Sequence, residues 1–455
     1  MQNPLNKLYE KLPICLQNVA ISFVGILLYQ ERYGKYYKKY KKQYRLWNAE
    51  TAERQKEIQN QELRSLLMYA EKNSTFYHKL YSHYNIKEIR SVEELNQLPI
   101  VEKEKLRENI SDVYTISKKS AIIGHTGGTT GKALEFRMKK EDLQRRMAVL
   151  ACWEESLGIK NTSRRASFNG RQFVSRKQKN HCFWRYNFIR NQMLYSTFDL
   201  TPENIPYYIK SLNRFKPQII NGFVSAIYEL AQYIIINHVS LEFTPLVITT
   251  TSETLLSHHR ECIEMAFKCK VRNQYASSEG APFIVECKCG KLHYNITTGV
   301  IEEFKTEYGT EMLVTGFGTY GTPLIRYRIG DMWERSDEKC SCGSAYPVVK
   351  KIEGRRVDFL YATDGRKVSM SHLADVIKGL PNSIINLQFL QEKQNELIVK
   401  LVVDKNLYKK IEEQKIRNEI EYRFGRDMCT KFLYVDKIER EKSGKYALIK
   451  NNLVK

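Results

Sequence analysis

Gly124-His125-Thr126-Gly127-Gly128-Thr129-Thr130-Gly131-Lys132 is the most informative stretch of this chain. It combines four glycines, three threonines and one lysine, and a mostly apolar run lies on either side of it. Glycines let successive backbone N–H groups point at one anion, while threonine hydroxyls and a lysine add further donors. The stretch therefore predicts a loop that binds a polyphosphate. A glycine–threonine hairpin turn between two strands is the alternative interpretation.

The loop differs from the Walker A pattern G-x-x-x-x-G-K-[ST] at two positions. That pattern requires glycine where Thr126 stands and serine or threonine where Ala133 stands. The sequence therefore predicts a phosphate loop of another class.

Length, composition and net charge limit the kinds of protein that this chain can be. The chain has 455 residues, of which 42% are hydrophobic and 11% aromatic, which predicts a globular protein of several domains. Its formal net charge of +22 favours contact with anions such as nucleotides, nucleic acid or an anionic membrane. No zinc-finger or RNP-type motif accompanies this charge, so we expect no nucleic-acid partner.

The N-terminal region combines an apolar segment with a basic one. Residues 14–28 are apolar except for Gln17, Asn18 and Ser22, and they are fewer than the roughly 20 residues that span a bilayer. No small-residue cleavage site follows, so we expect no signal peptide. Residues 32–45 then alternate lysines and arginines with tyrosines. This pattern predicts contact with an anionic membrane surface, or, as the alternative, a packed helix followed by a solvated charged one.

Periodicity and turn residues predict an α/β fold in three regions. Residues 1–95 form a helical N-terminal region, and Ser91 is a candidate helix cap. Residues 96–353 form an α/β core with a largely parallel sheet. Within it, helices are predicted over 140–157, 225–236 and 257–267, and strands over 217–222, 246–250 and 270–275. Residues 354–455 form a small α+β domain, with a helix over 408–424.

Four more motifs follow the glycine-rich loop. The polar cluster 249–253 (TTTSE) ends a predicted strand, as does 275–280 (YASSEG), where Tyr275 could stack on a base and Glu279 could hold Mg²⁺. In 323–331 (PLIRYRIGD), Asp331 could accept hydrogen bonds from two ribose hydroxyls. The stretch 441–446 (EKSGKY) places Lys445 after a glycine. Each of these residues also has an alternative interpretation when taken singly. Tyr275 could be a core residue, Glu279 and Asp331 could be loop caps, and Lys445 could be a solvated lysine.

Taken together and in this order, the motifs resemble those of the adenylate-forming (ANL) superfamily. The resemblance extends over the whole chain and is strongest to the phenylacetate–CoA ligase-like family and its CapK-type capsular polysaccharide biosynthesis proteins. It implies a large N-terminal adenylate-forming domain of mixed and parallel sheets with helices, followed by a small mobile C-terminal α+β domain. Two positions depart from the pattern of the superfamily: His125 in the loop, and Ala276 where glycine is usual.

The resemblance also implies site residues. The ATP phosphates would be bound by Thr126, Gly127, Gly128, Thr129, Thr130, Gly131 and Lys132. Ser252 and Glu253 would lie beside the adenine, and Tyr275 would stack on it. Asp331 would bind the ribose, Arg355 the ribose or phosphate, and Glu279 Mg²⁺. Lys445 would contact the carboxylate and α-phosphate, so that the catalytic residues are Lys445, Lys132 and Glu279, and Asp358 would be the hinge between domains.

The implied activity is ATP- and Mg²⁺-dependent activation of a small carboxylic acid as acyl-AMP. The acyl group would pass to coenzyme A, or to an amine or sugar acceptor, in surface polysaccharide biosynthesis. We expect a cytoplasmic enzyme at the inner face of the membrane, with an anionic membrane surface or polysaccharide-assembly proteins as partners. An adenylyltransferase that stops at AMP transfer and a non-catalytic scaffold are the alternatives. Phe168, Phe223 and Ser225 are candidates for the acid pocket.

Two Cys-x-Cys-Gly units stand about fifty residues apart, at Cys287-Lys288-Cys289-Gly290 and Cys340-Ser341-Cys342-Gly343. His293 follows the first unit. Four thiolates, or three with one imidazole, form a tetrahedral zinc site. The pattern predicts a structural Zn²⁺ bound by four of Cys287, Cys289, His293, Cys340 and Cys342. Four unrelated cysteines are the alternative. The scattered remaining cysteines fit a reducing cytosol.

Overall fold

A computed structural model describes residues 4–125, 134–170, 173–174, 181–306, 309–355, 359–369, 373, 383–405, 407–441 and 447–453. Contacts group the chain into two compact units. The first comprises Met1–Ser22, Thr162–Val271 and Glu353–Lys455, and the second comprises Phe23–Asn161 and Arg272–Ile352. The division into 1–95, 96–353 and 354–455 stays a prediction.

Helices and strands are numbered here in chain order. The described α-helices are α1 (Pro4–Lys11), α2 (Ile14–Arg32), α3 (Lys35–Trp47), α4 (Ala52–Asn73), α5 (Thr75–Leu80), α6 (Lys103–Glu108), α7 (Ile110–Val113), α8 (Lys140–Ser156), α9 (Ile205–Phe215), α10 (Val224–Ile236), α11 (Ser257–Phe267) and α12 (Lys410–Phe424). The described strands are β1 (Ile122–His125), β2 (Glu135–Met138), β3 (Arg165–Phe168), β4 (Trp184–Asn187), β5 (Gln192–Tyr195), β6 (Ile219–Phe223), β7 (Val247–Thr251), β8 (Val271–Tyr275), β9 (Ile284–Glu286), β10 (Leu292–Tyr294), β11 (Gly299–Thr306), β12 (Gly309–Gly316), β13 (Tyr327–Arg335), β14 (Val348–Arg355), β15 (Phe359–Tyr361), β16 (Lys367–Ser369), β17 (Ile384–Lys393), β18 (Glu396–Val403), β19 (Cys429–Tyr434) and β20 (Ile449–Asn451).

The sheet of the first unit runs β4-β5-β3-β6-β7. Strand β3 pairs in parallel with β5 and β6, and β6 pairs in parallel with β7, whereas β4 is antiparallel to β5. Buried parallel strands favour runs of apolar and β-branched residues, and Val247-Ile248-Thr249-Thr250 in β7 is such a run. Helix α10 is buried on several sides and packs with these strands in one apolar core.

The C-terminal part of the first unit has a sheet of its own, in the order β19-β18-β17-β20. The antiparallel hairpin β17–β18 is extended by parallel pairing with β20 and β19. Helix α12 buries Ile416, Ile420 and Phe424 in the core of this part. The predicted C-terminal α+β domain is confirmed.

The second unit has a sheet in the order β8-β9-β10-β14-β13-β12-β11. Its pairs β8–β9, β9–β10, β10–β14, β11–β12 and β12–β13 are antiparallel. Helices α4 and α5 bury Leu63, Leu66 and Tyr77 in the same core as Tyr327 of β13. The chain therefore has the predicted α/β fold with mixed and parallel sheets.

Two N-terminal elements differ from the sequence prediction. The candidate cap Ser91 precedes a short 3₁₀-helix, Glu93–Gln97, in place of an α-helix. Helix α2 continues to Arg32, four residues beyond the predicted apolar segment. It is long and apolar enough to cross a membrane by length and composition alone, a test that signal sequences and core helices also pass.

Candidate nucleotide and metal sites

The predicted phosphate loop, Thr126 to Lys132, lies outside the described residues, as do Asp358 and Lys445. The strands before and after the loop, β1 and β2, pair antiparallel, with Ile122 opposite Met138 and His125 opposite Glu135. Arg355 ends β14, and only its backbone is described. The roles assigned to these residues stay predictions.

Tyr275 and Asp331 meet in the second unit. Tyr275 ends β8, Asp331 lies in β13, and the tyrosine hydroxyl donates a hydrogen bond to Asp331 Oδ2 at 2.6 Å. Asp331 is 8% exposed. The bond restrains the phenol ring and the carboxylate together, although 56 residues separate them in the chain. One ring for stacking and one acceptor for hydroxyls are thus adjacent.

Glu279 lies four residues after Tyr275 and is 6% exposed. Arg146 of α8, which sequence analysis did not select, donates to the carbonyl oxygen of Ser277 at 2.6 Å. Burial lowers the pKa of Arg146, and the charge of Glu279 acts in the opposite direction. The buried Glu279 carboxylate therefore has an electrostatic partner in Arg146, which in the sequence is only one of two adjacent arginines in a helix.

Two small residues shape the segment around Glu279. Ala276 packs against an apolar cluster that contains Val149 and Phe283, so the methyl group that replaces glycine is accommodated. Gly280 has a φ of +103°, and a Cβ there would lie 2.4 Å from Thr319 Cγ2. Only glycine fits both that conformation and that approach.

Glu253 and Ser225 meet in the first unit. The Glu253 carboxylate accepts hydrogen bonds from the backbone nitrogen and hydroxyl of Ser225, at 2.7 and 3.1 Å. Ser252 is exposed and has a φ of +68°, in the left-handed region. Both segments follow the carboxyl ends of the neighbouring parallel strands β6 and β7, where ligands of open α/β sheets bind. Of the other acid-pocket candidates, Phe168 is fully buried and stacks on Tyr195.

Arg440 joins this cluster from the C-terminal part of the same unit, and sequence analysis missed it. Its guanidinium donates to Ser225 Oγ at 2.9 Å and pairs with Glu229 Oε1 at 2.6 Å. Burial raises the pKa of Glu229, while the Arg440 charge lowers it. The sequence gives no sign of this pair because its members are 211 residues apart.

Four of the five predicted metal ligands come together in the second unit. One ligand atom each from Cys287, His293, Cys340 and Cys342 lies within 4.8 Å of every other. Cys287 Sγ is 3.7 Å from Cys340 Sγ, and Cys342 Sγ is 3.4 Å from His293 Nε2. Tetrahedral zinc with Zn–S bonds of about 2.3 Å would place two sulfurs about 3.8 Å apart. The spacing thus suits a zinc ion.

The imidazole of His293 is oriented by its neighbour. His293 is buried, and its Nδ1 lies 2.9 Å from the carbonyl oxygen of Tyr346. A carbonyl accepts only from a protonated nitrogen, which leaves Nε2 with its lone pair toward the thiols. Cys289, by contrast, is exposed and stands outside the group of four, with Ser341 Oγ 3.6 Å from its sulfur. The two matching Cys-x-Cys units therefore contribute unequally.

Comparison with known proteins places the chain in a family. Residues 360–452 match the CapK C-terminal domain. Over 454 residues the chain is 38% identical to Protein CapK of Staphylococcus aureus, which covers 99% of this chain and 100% of that protein. The chain belongs to the CapK family. The resemblance deduced from the motifs is thereby confirmed.

Solved structures share the fold of this CapK family member. A 2-hydroxyisobutyryl-CoA ligase in the postadenylation state, in complex with 2-HIB-AMP, matches with a TM-score of 0.71 and 15% identity, over 89% of this chain and 91% of that one. An open conformation of that ligase, in complex with 2-HIB-AMP and CoA, matches with a TM-score of 0.57 and 14% identity, over 89% and 93%. The fold of adenylate-forming ligases is therefore shared with the CapK family.

Proposed function

We propose that this protein is an ATP- and Mg²⁺-dependent adenylate-forming ligase. The observation that carries the proposal is the pairing of Tyr275 with Asp331, close in sequence to the buried Glu279, in a chain with the fold of such ligases. Tyr275 would stack on adenine, and Asp331 would accept hydrogen bonds from the ribose hydroxyls. Glu253 and Ser252 would lie beside the adenine.

In the first step a carboxylate oxygen of the substrate attacks the α-phosphorus of ATP. The bond to the β-phosphate oxygen breaks, and pyrophosphate leaves with its electron pair. Lys132 and Lys445 would stabilise the negative charge that develops on the phosphoryl oxygens. Glu279 would hold Mg²⁺, which offsets phosphate charge when bound.

In the second step the acyl carbon accepts a nucleophile and AMP leaves. The nucleophile is the thiol of coenzyme A, or an amine or hydroxyl of a sugar acceptor. Rotation of the C-terminal domain about Asp358 would remove Lys445 and admit this acceptor. We place the enzyme in surface polysaccharide biosynthesis at an anionic membrane surface, supported by its CapK family membership and the exposed lysines of α3.

The proposal includes a structural Zn²⁺ bound by Cys287, His293, Cys340 and Cys342, supported by their separations and by the orientation of His293. These four ligands would complete a tetrahedron and leave no open position, which suits a structural role. The ion would tie the β9–β10 turn to the segment before β14.

Carboxylate-dependent exchange of radiolabelled pyrophosphate into ATP tests the first step across aromatic, aliphatic and amino acids. We expect at least one acid to support exchange, and Lys445→Ala to abolish it while acyl transfer from preformed acyl-AMP continues. Equal loss of both half-reactions would contradict the role of Lys445. ATP binding without exchange for any acid would overturn the ligase proposal in favour of a scaffold.

A further inference from the structure

Helix α2 turns its polar side toward the protein. Gln17 Oε1 accepts a hydrogen bond from Arg185 Nε at 2.5 Å, and Asn18 Oδ1 accepts one from the Tyr186 backbone nitrogen at 2.9 Å. Ser22 Oγ accepts one from the Phe188 nitrogen at 3.1 Å. The polar side chains at the centre of this helix are therefore occupied by the edge strand β4 and the residue after it.

The opposite side of α2 is apolar and exposed. It consists of large side chains at helical spacing: Leu16, Val19, Phe23, Ile26 and Leu27. Phe23 is 61% exposed and Val19 58%, and no charged residue occurs between Lys11 and Glu31. A helix at the surface of a water-soluble domain has the reverse pattern, with apolar residues inward. A contiguous apolar surface of this kind marks an interaction site.

The charge of the next helix, α3, indicates what covers the apolar face of α2. Helix α3 begins three residues after α2 ends and exposes Lys35, Lys38, Lys39, Lys42 and Arg45. In a symmetric pair of copies, each copy would bring the same basic helix to the contact, and like charges would repel. An anionic lipid bilayer offers hydrocarbon for the apolar face and negative headgroups for the lysines.

We propose that α2 lies in the plane of an anionic membrane, with its apolar face in the lipid and α3 against the headgroups. The hydrogen bonds of Gln17, Asn18 and Ser22 hold the helix on the protein, so it binds at the interface and does not cross the bilayer. Phe188 is 59% exposed and adds apolar area beside Ser22. This inference extends the membrane location of the proposed function, but it does not depend on catalytic activity.

Vesicle flotation of the full-length protein tests the proposal. We expect the protein to float with phosphatidylcholine vesicles that contain about one-third phosphatidylglycerol, and less with phosphatidylcholine alone. The double variant Val19→Glu/Phe23→Glu should lower the partition coefficient about tenfold or more, because it removes apolar area and adds negative charge. Ile411→Glu is the matched control: Ile411 is 67% exposed on α12, and this variant should float like the wild type.

A second variant examines the charge contribution and avoids any effect on the hydrogen-bonded face. Lys38→Glu/Lys39→Glu should weaken binding to the anionic vesicles and leave the weak binding to phosphatidylcholine unchanged. Circular dichroism melts would verify that each variant folds.

Three results would overturn the proposal. The first is equal flotation of the wild type and Val19→Glu/Phe23→Glu. The second is a wild-type dimer, measured by light scattering, that this variant dissociates, because the face would then bind another copy. The third is failure of alkaline carbonate to extract the wild-type protein from the membrane. A helix that spans the bilayer stays there under this treatment, whereas an interfacial helix is released.

Discussion

At the scale of single residues, Asp331 and Tyr275 make separable contributions to the proposed ATP site. Asp331→Asn removes the negative charge of the carboxylate that would accept hydrogen bonds from two ribose hydroxyls. We therefore expect the affinity for ATP to fall about tenfold or more. Tyr275→Phe keeps the ring and loses only the 2.6 Å hydrogen bond to Asp331, so the fall should be smaller. Isothermal titration calorimetry with ATP measures both, and an unchanged dissociation constant for Asp331→Asn would refute the ribose assignment.

The thiols offer a matched pair of substitutions. Cys340→Ser should abolish stoichiometric zinc binding. It removes one of the four clustered ligands and replaces a thiolate with a hydroxyl, which is a poorer zinc ligand. Cys289→Ser should retain zinc, because the Cys289 side chain is exposed and stands outside that group. Elemental analysis of the purified proteins gives the answer. Metal loss in both variants, or metal absent from the wild type, would contradict the assigned ligands.

At this scale a motif can point to residues that the fold then brings together. The sequence selected Tyr275 and Asp331, which lie in contact, and their roles at a nucleotide stay predictions. It could not separate Cys289 from Cys287, because matching spacing does not show which thiol turns inward. It also assigned no role to Arg326, whose guanidinium is buried and bonds Glu302 within the second unit.

At the scale of elements, Arg440 and Glu229 join the C-terminal part of the first unit to α10. Their side chains are 8% and 9% exposed. Arg440→Ala would leave a buried carboxylate without its cation, so we expect a loss of about 3 kcal/mol or more in the free energy of unfolding. Replacing both residues by methionine should cost less, since no charge is then left buried. Urea denaturation measures each value, and equal costs for the single and double variants would argue against a coupled pair.

The bounds of helices could be predicted where the local sequence pattern determines them. Helix α11 has the predicted bounds, and α8 ends one residue earlier than predicted. The residues after Ser91 form only a 3₁₀ turn, since Leu98-Pro99 follows closely and proline disfavours helix in the residue before it. The orientation of α2 could not be predicted, because its buried side is its polar side.

At the scale of the whole molecule, acid should destabilise the protein. Burial lowers the pKa of His259 well below its usual 6.5, and a proton on neighbouring His258 lowers it further. The unfolded chain then binds a proton below about pH 6.5 that the folded chain does not, so stability falls as the pH drops, by up to about 1.4 kcal/mol per pH unit. Unfolding free energies measured between pH 7 and pH 5 should show this slope.

A histidine variant isolates this contribution. His259→Gln should flatten the slope, whereas His83→Gln, at an exposed position, should leave it nearly unchanged. A slope that is the same in both variants would show that other groups cause the acid sensitivity. The positive net charge of +22 acts in the same direction, since each added proton increases self-repulsion.

The α/β class and the C-terminal α+β domain could be predicted because each strand and helix depends on the pattern of residues in a short segment of the sequence. The grouping of distant segments could not. Residues 162–271 and 353–455 belong to one unit, yet the intervening 272–352 belong to the other. Only contacts between far-separated residues define such a grouping.

This interleaving sets an order on biosynthesis. Every segment of the second unit has been translated once Ile352 is made, whereas the first unit needs residues from the final hundred. Glu229 emerges from the ribosome 211 residues before Arg440, the cation that neutralises it. At about 5–20 residues per second, that interval lasts some tens of seconds at the slower rates. All residues of the later-starting unit are therefore available to the nascent chain before those of the earlier-starting unit.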